Sequence, residues 1–314
     1  MAGNLLHDVF DMHVHCAPDI VERKTDDIEL AKAAADAGMG GILLKSHCGS
    51  TVERAYLVKQ MTPGLHVYGG VVLNLPVGGL NPNAVEIYIR MGAKEIWMPT
   101  FSAQAMSETR RKQKIETKEI APQGNANIDP PAANKNGWKG GNWPWYRNGL
   151  GISILGEDGK LLQEVWQILE IMATGEAILG TGHISIPETH ALIKAAQEMR
   201  VGRLLITHPE YMAPMSIDDQ ISLAKKGVFF ERCYITTRLP KYLGPDLSLE
   251  TLVNNIQAVG IESNILATDF GQPTNEHPVK GMLEFIERLR EAGFRESDLE
   301  LMATKTPKIL LGLD

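Results

Sequence analysis

Of the nine histidines in this 314-residue chain, five stand where their imidazoles can converge. His13 and His15 lie two apart in the apolar run 8–16. Successive side chains of an extended strand alternate faces, so both rings point the same way. Two such rings suit a divalent ion, with Zn–N bonds of about 2.1 Å. The pattern recurs. Lys45 and His47 end the run 41–47 at the same spacing, His183 ends 177–183, His208 ends 203–208, and Asp269 nearly ends 264–270. His7, His66, His190 and His277 fall elsewhere, at the N-terminus, a strand start, a helix and a late loop. The set predicts a divalent-metal centre, zinc by preference because imidazoles dominate, with manganese the alternative and one or two ions. An ion there lowers the pKa of water toward about 7, and a neighbouring carboxylate such as Asp269 orients that water and shuttles its proton.

The elements that must position these groups follow from periodicity. Eight short runs, most apolar on both faces, cover 8–16, 41–47, 66–74, 95–101, 177–183, 203–208, 228–235 and 264–270. They read as parallel strands covered by helices. Amphipathic patterns between them predict helices near 26–37, 51–60, 82–91, 161–172, 187–199, 216–225, 249–259 and 279–292. Thr25, Asn81-Pro82 and Ser216 open three of these; Gly38, Gly260 and Gly293 close three. Strict βα alternation predicts an α/β fold of the (β/α)8 barrel type, one domain over 1–314, with the histidines at the C-terminal face where such barrels carry their sites. An open, doubly wound sheet would want a Gly-rich turn after the first strand, and His15-Cys16-Ala17-Pro18-Asp19 is not one.

One stretch breaks the alternation. Residues 102–150 have no apolar period and hold three of the five tryptophans, Trp138, Trp143 and Trp145. Large aromatics in a polar excursion point to a lid over the site or to a subunit interface, the latter making a homo-oligomer. Composition excludes other classes. With 44% hydrophobic and 22% charged residues the chain is globular, and its net charge of −7 argues against a nucleic-acid partner. No apolar run approaches the ~20 residues that cross a bilayer. The first residues carry no basic or long apolar stretch, and Cys16, Cys48 and Cys233 show no C-x-x-C spacing; a cytoplasmic location with free thiols is expected.

Asp11-Met12-His13-Val14-His15 resembles the D-x-H-x-H opening of the amidohydrolase superfamily of metal-dependent hydrolases. Gly180-Thr181-Gly182-His183-Ile184-Ser185 resembles its fifth-strand histidine motif, Thr207-His208-Pro209 its sixth-strand histidine, and Thr268-Asp269-Phe270 its eighth-strand aspartate. The tail from Thr306-Pro307 to Gly312-Leu313 is similar to the superfamily's closing segment. The resemblance implies that His13, His15 and Asp269 hold one ion, that His183 and His208 hold a second or complete the first, and that Asp269 moves the proton. It fails on the fourth strand. That run ends Trp97-Met98-Pro99-Thr100-Phe101 without the bridging lysine or glutamate, and Glu95 stands at its start. Lys45, if carbamylated, is the nearest bridge; otherwise its ammonium contacts substrate or pairs with a carboxylate.

The implied activity is hydrolysis of an amide, cyclic amide, lactone or ester bond in a small molecule. The alternatives are a phosphoesterase of the polymerase-and-histidinol-phosphatase type or a metal-dependent decarboxylase; a non-catalytic metal scaffold would be expected to lack Asp269. Lys45 and His47 join Asp269 as candidate catalytic groups. Lys45, Glu231, Arg232 and Trp145 are the candidate substrate contacts, although alternation turns only one of Glu231 and Arg232 inward.

Overall fold

The computed structural model describes residues 4–106, 151–211, 214–239 and 246–313. Among them, eight parallel strands lie side by side in sequence order: β1 (Phe10–Val14), β2 (Gly41–Leu44), β3 (His66–Val72), β4 (Glu95–Trp97), β5 (Ile178–Gly180), β6 (Leu204–Thr207), β7 (Phe229–Cys233) and β8 (Asn264–Ala267). The cylinder closes where Val14 pairs with Phe270. At that seam the Asp269 N–H donates to the His13 carbonyl and the His15 N–H to the Phe270 carbonyl, both at 2.8 Å. The expected (β/α)8 barrel is the fold.

Among the described residues, eight helices cover the cylinder: α1 (Asp27–Asp36), α2 (Val52–Met61), α3 (Pro82–Arg90), α4 (Gln163–Thr174), α5 (Ile186–Glu198), α6 (Ile217–Ala224), α7 (Leu249–Val259) and α8 (Pro278–Glu291). Their starts follow cap chemistry. Asn81 accepts from the Asn83 and Ala84 amides, and Ser216 from the Asp219 amide. At α1 the cap is Asp26, which accepts from Ile28 and Glu29, rather than Thr25, whose hydroxyl turns to Glu29. Ser185 and Glu188 form a reciprocal capping box at α5, two residues beyond His183.

The inside of the cylinder is filled by Phe10, Met12, Leu43, Val72, Trp97, Ile178, Leu205 and Ile265. Leu310 and Leu311, on a short C-terminal helix (Thr306–Leu311), join this cluster. Such layered packing makes the barrel a solid core, so only the strand ends are free to build a site. Two apolar layers outside the sheet pack the helices against it.

The excursion after β4 is tied at its base. Ala103 bridges Ile152 in parallel, the Gln104 amide donates to Ile152 and the Ile152 amide to Ser102. Residues 102–106 therefore belong to the ordered frame. The remainder expected as lid or interface, 107–150 with Trp138, Trp143 and Trp145, lies outside the described residues. No helix among the described residues is long and apolar enough to cross a membrane.

Gly271 shows how tightly the seam is built. Its φ is +134°, and a Cβ there would lie 1.9 Å from the His15 carbonyl oxygen. Gly271→Ala is expected to cost on the order of 1–3 kcal/mol, lowering Tm by roughly 2–10 °C in a thermal melt. An unchanged Tm would show that the seam yields at little cost.

Candidate metal centre

The five strand-end histidines form a closed ring at the barrel mouth. Going round it, centroids are separated by 5.2 Å from His13 to His15, 4.8 Å to His47, 6.2 Å to His183, 4.9 Å to His208 and 6.4 Å back to His13. All five are buried. Backbone placement does most of this work. The β1–β2 register shifts between Asp11 and Val14, so that His13 and His15 turn inward above Phe10 and Met12. The closing seam sets Asp269 beside them.

Two sets of ligand atoms result. His13 Nε2 and His15 Nε2 are 3.3 Å apart, and each is 3.1 Å from Asp269 Oδ1. Nε2 atoms of His183 and His208 face each other at 3.1 Å. Ligands about 2.1 Å from a tetrahedral ion stand roughly 3.4 Å apart, so both spacings suit zinc. Three atoms able to accept, aimed at one point inside a protein, need a proton or a cation among them. The protonation pattern says the same. Burial opposes charge on His13, yet Asp269 and Glu231 raise its pKa above the ordinary value. Burial pushes Asp269 up, but its contacts with His13 and His15 carry it well below the usual carboxylate range. His15, buried and close to Arg23, is pushed down to about 3, and burial pushes His208 down to about 4. Both are neutral and able to ligate at neutral pH. His13, His15 and Asp269 thus fit a divalent ion, and no other donor set including Asp269 is found among the described residues.

His47 is tied differently. Asn74 donates to the Thr100 hydroxyl, and that hydroxyl lies 2.8 Å from His47 Nδ1. Together these contacts hold the His47 ring in orientation at its Nδ1 edge. Burial holds its pKa well below the ordinary value, and Phe101 stacks on the ring at 3.8 Å. Asn74 also accepts from the Thr100 and Ser102 amides, clamping the ends of β3 and β4 together.

Lys45 points into the barrel, with Nζ 4.9 Å from the Trp97 ring centroid and no hydrogen-bond partner among the described residues. Glu231 also points inward and reaches His13 Nδ1 at 2.9 Å. Arg232 does not line the site. It lies on the outer face, where it donates to Asn264, to Gln220 of α6 and to Glu210. Its assignment as a substrate contact is therefore corrected: alternation gives the interior to Glu231. Trp145 lies outside the described residues.

Three supporting residues went unassigned in the sequence. Asp11 accepts from the Thr268 hydroxyl at 2.5 Å and from its amide at 3.0 Å, locking the residue before Asp269; burial raises its pKa to about 6. Thr100 and Asn74 orient His47. Both end apolar runs, and strand-end position was the available signal.

The sequence model described as "Family of unknown function (DUF6282)" matches residues 8–231. The chain belongs to that family. A comparison with curated proteins finds no match. Among solved structures, this DUF6282 barrel resembles an amidohydrolase from Pseudomonas aeruginosa, with TM-score 0.60, 10% identity and coverage of 98% of this chain and 96% of the other. It also resembles a protein from Pseudomonas putida described as a 2-pyrone-4,6-dicarboxylic acid hydrolase, at TM-score 0.57, 12% identity and 98% and 99% coverage. A phosphotriesterase homology protein from Escherichia coli matches at TM-score 0.56 and 14% identity, over 98% and 99% of the chains. The DUF6282 barrel therefore has the fold of amidohydrolase- and phosphotriesterase-type proteins.

Because Asp269 and Glu231 favour a proton on His13, an ion bound at Nε2 must displace it. Zinc affinity should be constant above the raised pKa of His13 and fall below it by roughly tenfold per pH unit for one displaced proton. Competition against a chromophoric chelator from pH 8 to pH 5.5 measures this. A flat profile would contradict the assignment of His13 as the competing site.

Proposed function

We propose that this protein is a metal-dependent hydrolase cleaving an amide, cyclic amide, lactone or ester bond of a small molecule, with zinc as its ion. The observation that carries the reading is convergence: His13, His15 and Asp269 present three ligand atoms within 3.3 Å of one another, with the His183–His208 pair beside them. Fold neighbours described as an amidohydrolase and a pyrone dicarboxylic acid hydrolase support it.

His13, His15 and Asp269 would hold the ion, and His183 and His208 would complete its shell or hold a second. Bound there, the ion lowers the pKa of water and polarises the scissile carbonyl. Asp269 is 14% exposed where His13 is 1%, so it is the member of the trio open to the mouth. Asp269 accepts the proton of the attacking water and returns it to the leaving group. His47, neutral and held at Nδ1 by Thr100, is placed to donate from Nε2 to the carbonyl oxygen as negative charge develops. Lys45 supplies a further contact to substrate.

Zinc- and manganese-loaded protein should hydrolyse at least one member of a panel of lactones, esters and cyclic amides. Asp269→Asn should keep the fold, by circular dichroism, while losing roughly 10²–10⁴-fold in kcat. Full activity in that variant would remove Asp269 from proton transfer. Consumption of only phosphomonoesters, or of carboxylic acids with CO2 release, would overturn the carbonyl-hydrolase reading.

A further inference from the structure

A neutral imidazole has two tautomers, and only one leaves Nε2 free to ligate. His15 turns its far nitrogen, Nδ1, toward Arg23 at 3.4 Å. His13 turns its own toward a carboxylate. Its Nδ1 lies 2.9 Å from Glu231 Oε2, while its Nε2 faces Asp269 and His15. Neither His13 nor Glu231 is more than 1% exposed. Glu231 belongs to β7, two strands away from β1, so the contact spans the inside of the barrel.

We propose that Glu231 is a positioning residue for the metal centre: it accepts the hydrogen of His13 Nδ1 and so fixes the tautomer that turns the Nε2 lone pair toward the ion. The inference rests on the metal-dependent reading above. A carboxylate oxygen only accepts, so the hydrogen of this bond belongs to His13. The same bond holds the ring in orientation and raises its basicity as a ligand. Position has a cost. Glu231 is buried, its other oxygen has no partner among the described residues, and it shares the interior with the buried carboxylate of Glu95. A carboxyl group buried there needs a polar partner to offset its lost hydration, and the bond to His13 supplies one.

A competing use of these atoms exists. His13 Nδ1, Glu231 and Cys233 lie within 4.8 Å of one another and could themselves hold an ion. The 2.9 Å contact is hydrogen-bond length and shorter than the roughly 3.4 Å spacing of two ligands on one tetrahedral ion.

The test is zinc affinity, by chelator competition and stoichiometry, for the full chain, Glu231→Gln and Glu231→Leu, each first shown folded by circular dichroism. Leucine should weaken zinc binding by roughly 10–100-fold, and glutamine, whose amide oxygen still accepts, should recover most of it. In zinc-loaded protein with ¹⁵N-labelled histidine, the His13 Nδ1–H resonance should be present and downfield in the native chain and in Glu231→Gln, and lost or moved upfield in Glu231→Leu. Equal affinity in all three would overturn the proposal, as would glutamine proving as damaging as leucine, since charge alone would then explain the loss. So would a second ion in the native chain that both variants lose while keeping the first. Native protein that binds no zinc would overturn the metal reading itself, so failure of that reading is told apart from failure of the inference.

Discussion

The site depends on one seam, the closure of β8 onto β1. Two backbone hydrogen bonds and the Val14–Phe270 bridge join the ends of the sheet at the very residues whose side chains converge, His13, His15 and Asp269. The ligand spacing is thus set by backbone pairing rather than by flexible side chains. Asp11 reinforces the seam from below, since its two oxygens hold the amide and hydroxyl of Thr268. Gly271 lets the chain leave the seam where any Cβ would strike the His15 carbonyl.

Strain and charge gather at the same face. Of four non-glycine residues with positive φ among the described residues, two are His208 and Asp269, at +29° and +53°. Such backbone persists only where its surroundings hold it. For His208 the holding structure is outside the barrel: Glu210, two residues on, is fixed by Arg232, which Gln220 and Asn264 hold in turn. The outward Arg232 and the inward Glu231 are neighbours in sequence that brace opposite sides of one site.

The barrel and the histidine set were legible because both rest on short-range rules. Eight apolar runs alternating with amphipathic stretches leave few other folds, and imidazoles at strand ends share a face whatever the loops do. What was hidden needed a third dimension. Glu231 and Arg232 are adjacent, charged and equally buried, so neither burial nor polarity gives the phase of β7. The register shift between Asp11 and Val14 has no sequence mark. Thr25 and Asp26 are both good capping residues, and only backbone geometry chooses Asp26. Asp11 reads as part of a motif, while its hold on Thr268 spans nearly the whole chain.

The proposed chemistry rests on a divalent ion held between β1 and β8 by His13, His15 and Asp269. Crystals of protein purified without chelator and supplied with zinc, measured on either side of the zinc absorption edge, locate that ion directly. An anomalous peak is expected about 2.1 Å from His13 Nε2, His15 Nε2 and an Asp269 oxygen. Fully zinc-exposed crystals with no peak there, or with peaks only on the outer surface, would contradict it.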